Sequence, residues 1–520
     1  MAQRREGENE SDERAGLALA FGGDSEVAGR SQAVSKLGRL KYWLLAAFLV
    51  FAIAAAFGVL PQLPGVEDRH LTSVGVPAEP QSPANGSDLA AKLQALQAEP
   101  SPDASAAPVA ASSVTPATPP GPTNNVSSVA TANVEAPPTA QNTAPGNLLH
   151  GVNDTEILFG MAAPFSGASR ELGRQMKIGV ETAFAPINSA GGVNGRQLKL
   201  VAADDGYEPV RTADAMRVLY DKDQVFGFIG NVGTPTAAVA LPFALDHRAL
   251  FFGAFSGANL LRRDPPDRYV FNYRASYAEE TNAVVRYLVN VRRIQPSEIV
   301  VFAQQDAYGD SGYAGVQKAV RSLSGDYPDI VRLGYKRNTV DVQDAVSALR
   351  AFKGKIKAVV MVASYRAAAK FIEKTRDLYP SLIYTNVSFV GSTALADELM
   401  LLGPRYAAGV VVTQVVPVIN SFASVVLKYK EALAKSFPGE SPDYVSFEGY
   451  IDGCILVEAV KRVGRDLNTE KLVDHLEQMR AFDLGLGAPV TFSDNQHQGS
   501  HRVWGTQLDE AGHYQPIDLE

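Results

Sequence analysis

From about Thr155 to the end of the chain, short apolar runs alternate with longer stretches whose apolar residues recur at helical spacing. The runs Ile157–Gly160, Gln197–Ala202, Val225–Ile229, Leu250–Phe252, Glu298–Phe302, Ala358–Val362 and Gly409–Thr413 read as strands. Between them the spacing predicts helices over Gly173–Ile187, Val210–Asp221, Thr236–His247, Thr281–Val291, Ala314–Leu323, Val342–Phe352, Ala367–Leu378, Ser424–Ser436 and Tyr450–Val463. This alternation argues for an α/β fold of mostly parallel sheets flanked by helices. About 365 residues are too many for one such core, so two lobes are expected.

The first third of the chain has a different texture. Residues 1–41 are polar, and Tyr42–Leu60 carries no charge. Nineteen residues in a helix span roughly 28 Å, close to the hydrocarbon thickness of a bilayer. Arg30, Lys36, Arg39 and Lys41 precede this segment, which keeps the N-terminal side in the cytoplasm. An uncleaved transmembrane anchor and a cleaved signal both fit, and either exports the remainder. Residues 61–152 are rich in Pro, Ala, Ser and Thr and read as a disordered linker, with one short amphipathic stretch at Leu89–Ala98. The predicted organisation is a cytoplasmic tail (1–41), an anchor (42–60), a linker (61–152) and a bilobal domain (153–520). Lobe 1 is expected at about 153–274 and 415–484, lobe 2 at about 275–414 and 485–520.

Charge and cysteine use narrow the options. The net charge of −8 gives no basic face for nucleic acid. The single cysteine, Cys454, excludes an internal disulfide and a cysteine-based metal cluster, and its apolar helical setting reads as core. No phosphate-binding loop, G-x-S-x-G or H-E-x-x-H pattern occurs, so neither catalytic residues nor a cofactor nor a metal is expected. His497 and His501 lie four apart but with Gly499 between them, in a turn rather than on a helix.

Candidate chemistry sits after the strands, where open α/β sheets bind ligands. Val225–Ile229 runs into Gly230-Asn231-Val232-Gly233-Thr234-Pro235-Thr236. Thr234 is a natural N-cap and Pro235 suits the first helical position. Free N–H groups at Thr236 and Ala237 would suit a carboxylate. A well-capped helix without a ligand explains the same residues. Ser256, in the loop after Leu250–Phe252, could add a hydroxyl. In the second lobe Tyr308 and Tyr365 follow strands, each with an apolar face and a hydroxyl. Asp204-Asp205 reads as a loop-capping pair.

Several stretches together carry a family likeness. They are Gly160–Gly173, the turn Ile187–Arg196 (INSAGGVNGR), Asp204-Asp205 with Pro209, Tyr308-Gly309, and the closing segments Gly487–Phe492 and Asn495–Gly499, which fit a hairpin. Residues 155–520 thereby resemble the leucine/isoleucine/valine-binding family of periplasmic solute-binding proteins, which have the type I periplasmic-binding fold. The resemblance implies that Thr234 and Ser256 donate hydroxyls to a ligand carboxylate, Ala254 offers a backbone carbonyl, and Tyr308 and Tyr365 close over the ligand. Leu172 implies an apolar wall. Where amino-acid binders carry an acid for the ammonium group this chain has Thr393, with Asp397 or Glu398 as substitutes if the loop bends differently. The implied role is that of a non-catalytic receptor for an amino acid or another small carboxylate, feeding ABC permease subunits from the periplasmic side of the inner membrane. A membrane-anchored sensing or partner-binding ectodomain is the alternative; an enzyme on this fold is the third reading.

Overall fold

The structure is a computed structural model and describes residues 150–520. The expected tail, the Tyr42–Leu60 segment and almost all of the linker lie outside the described residues. Among the described residues no helix is long and apolar enough to cross a membrane.

The first stretch builds β1 (Glu156–Ala163), α1 (Arg170–Ser189), β2 (Gln197–Asp204), α2 (Pro209–Arg217), β3 (Gly227–Ile229), α3 (Thr234–Asp246), β4 (Leu250–Phe252) and β5 (Val270–Phe271). These strands form one parallel sheet in the order β2-β1-β3-β4-β5. β3 and β4 are buried at every position, as strands covered on both faces must be.

The second stretch repeats the plan. It comprises α4 (Tyr277–Arg286), β6 (Ile299–Gln304), α5 (Ala307–Ser324), β7 (Arg332–Tyr335), α6 (Gln343–Ala351), β8 (Ala358–Val362), α7 (Tyr365–Thr375), β9 (Ile383–Asn386), α8 (Ser392–Leu402), α9 (Pro404–Ala407) and β10 (Val411–Gln414). Their sheet runs β7-β6-β8-β9-β10 in parallel. The chain then returns to the first lobe with α10 (Ser424–Ser436), α11 (Tyr444–Val463) and α12 (Thr469–Glu477). Finally β11 (Trp504–Leu508) and β12 (Tyr514–Ile517) add an antiparallel hairpin beside β10. α11 covers α1 closely: a methyl group on Gly179 would overlap the Ser446 carbonyl, and one on Gly453 the Ala183 side chain.

Each sheet reverses direction beside its first strand, at β1/β3 in one lobe and at β6/β8 in the other. Ligand crevices form at such reversals, beyond the carboxyl ends of the strands. The lobes are joined where the chain crosses between them. At one crossing Asn272 pairs with the returning chain, its N–H donating to His497 O at 2.8 Å and its carbonyl accepting from Gly499 N at 2.8 Å. The Tyr273 hydroxyl donates to Val415 O at 3.0 Å, tying two crossings together.

Several helices start earlier than spacing predicts, and caps explain it. α4 begins at Tyr277 because Ser276 and Glu279 form a reciprocal capping box. Asp306 accepts from Tyr308 N at 3.0 Å and starts α5; Asp443 accepts from Val445 N at 2.7 Å and starts α11. The hairpin expected within Gly487–Gly499 is a single isolated bridge, Ser493 with Gln496, while Val490 bridges back to Phe482. The extended hairpin is β11–β12.

Candidate functional site

The loop after β3 is shaped by glycine. Gly233 has φ 110°, and a Cβ there would overlap the ring of Tyr207. Gly233, not Thr234, is the N-cap of α3, and Thr234 and Pro235 are its first two helical residues. The expected capping role of Thr234 is therefore corrected: it is the first helical residue, and its hydroxyl makes no capping bond. It lies 2.8 Å from the Ser256 hydroxyl, and both residues are fully buried. Of the two expected free N–H donors, that of Ala237 is taken, donating to Gly233 O at 3.1 Å. The Thr236 hydroxyl donates to Val232 O at 2.5 Å. The Ala254 carbonyl accepts from Ser256 N at 2.7 Å in a tight turn.

Around the Thr234–Ser256 pair stands an aromatic wall drawn from both lobes. Phe255 and Phe389 stack with centroids 5.1 Å apart. Tyr308 lies 4.5 Å from Phe389 and 5.3 Å from Tyr277, and Tyr207 lies 6.2 Å from Phe389. All five are buried. The Tyr277 hydroxyl faces Thr234 but stays outside hydrogen-bonding geometry, and the Tyr308 hydroxyl also has no partner. Burial raises the pKa of Tyr207, Tyr277 and Tyr308, so these phenols stay protonated and remain donors. Tyr207 itself has φ 62°, a region bulky residues rarely adopt. It is held there by Asp205, which accepts from Tyr207 N at 2.8 Å. Strain of this kind marks sites where placement outweighs backbone comfort.

The other expected residues lie elsewhere on the same interface. Tyr365 opens α7 with its hydroxyl turned to the Glu171 backbone, and Leu172 packs against Gly391 beside its ring. Thr393 is half-buried towards Asp443, with no hydrogen bond of good geometry. Glu398 pairs with Arg366 at 3.3 Å, and Asp397 is exposed. The structure thus pairs Thr234 with Ser256, links Tyr308 to them through the ring of Tyr277, and sets Tyr365 and Thr393 against other residues.

Sequence reasoning passes over Tyr207, Phe255, Tyr277, Phe389 and Arg274. Arg274 is fully buried, with carboxylates of Glu280 and Glu448 each at 3.4 Å, a hydrogen bond to Ser388, and its guanidinium 4.7 Å from the Phe255 centroid. Glu280 and Ser388 belong to the second lobe and Glu448 to the first, so this cation joins both. The available signal was positional: Tyr207, Phe255 and Phe389 each follow a strand by a few residues. Across the cleft rim Arg337 pairs with Glu208 at 2.8 Å, Asn338 donates to Glu208 at 2.6 Å, and Gln304 donates to the Tyr207 hydroxyl at 3.2 Å.

Comparison with known proteins fits this geometry. The profile of the periplasmic binding protein family matches residues 156–513. A crystal structure described as a possible leucine/isoleucine/valine-binding protein from Rhodopirellula baltica SH 1 is 40% identical, with TM-score 0.67, covering 70% of this chain and 97% of that one. The chain belongs to the leucine/isoleucine/valine-binding family of periplasmic binding proteins. Among curated relatives, an amino acid binding protein of Pseudomonas aeruginosa is 24% identical over 50% of this chain and 67% of its own length. A Leu/Ile/Val-binding protein homolog of Brucella melitensis is 23% identical over 65% of this chain and 88% of its own. Membership of this family makes the bilobal part a type I periplasmic-binding fold, an extracytoplasmic domain of a solute-binding rather than catalytic class. Among the described residues no cluster of three His, Cys, Asp or Glu side chains could hold a metal ion. His497 instead stacks on Phe271 at 3.8 Å, and His501 bonds Glu279 at 2.6 Å.

Proposed function

We propose that this chain is the solute receptor of an ABC-type importer, taking a small carboxylate-bearing ligand such as an amino acid or related metabolite between its lobes. The single observation that carries the reading is the buried Thr234–Ser256 hydroxyl pair, faced by Tyr277, whose ring packs on Tyr308 of the second lobe. Hydroxyls of one lobe hold the carboxylate, aromatic side chains of the other cover it, and contacts to both favour the closed arrangement. Tyr365 and Leu172 form the outer wall, with Thr236, Ala254 and Thr393 as further contacts. The domain, about 153–520, works from an inner-membrane anchor at residues 42–60 through the 61–152 linker and delivers to permease subunits.

The test is calorimetric titration against a library of small carboxylates. Replacing Thr234 and Ser256 together with Ala removes two charge-assisted hydrogen bonds, about 3 kcal/mol in all, so affinity is expected to fall about 100-fold. Unchanged affinity would exclude these hydroxyls as the carboxylate site. The anchor and long linker favour a second reading, a sensing ectodomain without transport; uptake of the ligand that survives deletion of this chain would select it.

A further inference from the structure

We propose that the end of the second lobe remote from the cleft is a membrane-docking surface that seats the headgroups of anionic phospholipids. Strands β6, β8 and β9 run parallel and side by side. Tyr308 and Phe389 follow the carboxyl ends of β6 and β9, on the cleft side. The loops that enter the same three strands, 292–298, 353–357 and 377–382, therefore gather at the opposite end of the sheet.

A groove of about 420 Å³ lies among these loops. Its apolar side chains include Ile294, Ile356, Tyr379 and Leu382; its charged ones are Arg292, Lys355 and Lys357, and no acid lines it. Arg293 and Lys353 stand exposed in the same loops, so five cations gather at this end of a chain whose net charge is −8. Lys357 pairs with Glu298 at 2.8 Å, and Arg292 donates to the Tyr287 hydroxyl at 3.0 Å. Among the described residues Arg293, Lys353 and Lys355 make no ion pair. Two further acids of this end are engaged elsewhere, Asp377 with Arg405 at 3.1 Å and Asp329 with Arg321 at 2.7 Å. Asp326, before β7, and Asp509 and Glu510, in the β11–β12 turn, lie towards the two margins of the sheet and outside the groove.

Clustered cations repel one another, and an anionic partner relieves that repulsion. The partner is also amphiphilic. Val291 and Leu378, chain neighbours of Arg292 and Tyr379, are 44% and 46% exposed. A bilayer interface offers phosphates to the cations and glycerol and acyl chains to the apolar residues. Lysine and arginine stems lie along such a layer while their heads reach the phosphates. The anchor proposed at residues 42–60 brings a bilayer within reach of the domain. Docked this way, the lobe turns its cleft away from the membrane, because groove and cleft lie at opposite ends of the same strands. The posture suits a receptor that collects ligand between deliveries.

The experiment places a thiol in the groove. Ser381, exposed and in its lining, is replaced (Ser381→Cys) in the full-length chain with Cys454→Ala. The chain is reconstituted in nanodiscs of phosphatidylcholine, alone or mixed with phosphatidylglycerol, and labelling by an uncharged maleimide is timed. Each basic residue near an anionic surface is worth about fivefold in affinity. Labelling is therefore expected to be at least about fivefold slower in the anionic discs. The difference should vanish in about 1 M salt, where the screening length is about 3 Å. Ser189→Cys, exposed at the strand-entry end of the first lobe, should label equally in both discs. Lys353→Glu with Lys355→Glu should abolish the slowing, and Lys353→Arg with Lys355→Arg should keep it; both positions are exposed, and circular dichroism checks the fold. Equal rates in the two discs, slowing that persists in the glutamate variant, or equal slowing at Ser189→Cys overturns the inference. Slowing that appears only when membrane proteins are added overturns it in favour of a protein partner.

Discussion

Three buried residues show how the site's chemistry and the domain's stability share atoms. Gly233 keeps Tyr207 in place through a conformation other residues resist, so Gly233→Ala should cost at least about 2 kcal/mol in urea unfolding. Glu448 faces Arg274 from inside the first lobe. Burial, opposed by Arg274, raises its pKa from 4.5 to about 7. A carboxyl whose folded pKa is raised contributes stability that is complete below about pH 4.5 and lost as pH climbs through about 7. Glu448→Gln should therefore flatten the fall in unfolding free energy across that window. Removing the cation is harsher: Arg274→Ala strands Glu280 and Glu448 without a countercharge and should cost about 3–5 kcal/mol.

Among the elements, the crossing that carries His501 is the most open to titration. Its hydrogen bond to Glu279 raises the His501 pKa above 6.5. Burial alone would raise Glu279, but hydrogen bonds from His501 and Ser276 bring it down to about 2. The histidine's contribution is complete below pH 6.5 and lost as pH rises through its folded value; the glutamate's is present above 4.5 and lost towards 2. His501→Ala should thus cost most near pH 5.5, no more than about 1 kcal/mol because the pair is half-exposed, and nothing at pH 9. The elements marked by an apolar run were legible in the sequence: β1, β4, β8 and α10 fall where those runs lie. β5 has only two residues, and β7 (RLGY) and β9 (IYTN) break their runs with Arg, Gly, Thr or Asn, so no apolar run marks them. The helix starts were missed because a capping Asp or Ser looks like any loop residue until its partner N–H is placed. Thr234, Ser256 and Tyr308 stood out as candidates because they follow apolar strands. Phe389 was not, because it follows β9, and a lone Phe there reads as core.

For the molecule as a whole, the rim contacts of Arg337, Asn338 and Glu208 hold the lobes together independently of the aromatic wall. Arg337→Glu should place like charges across the cleft, enlarge the radius of gyration in solution scattering, and weaken ligand binding as the competent fraction shrinks. Pairing it with Glu208→Arg should restore both. One feature also bears on how the molecule is made. α1, in the opening stretch, finds its cover in α11, which is encoded after β6–β10 of the second lobe. During synthesis and export the first sheet must therefore wait, its glycine-lined helix bare, until more than two hundred further residues have emerged. Holdase chaperones or a slow translocation schedule would have to shelter that surface, and a polypeptide truncated at the second crossing would leave it permanently sticky.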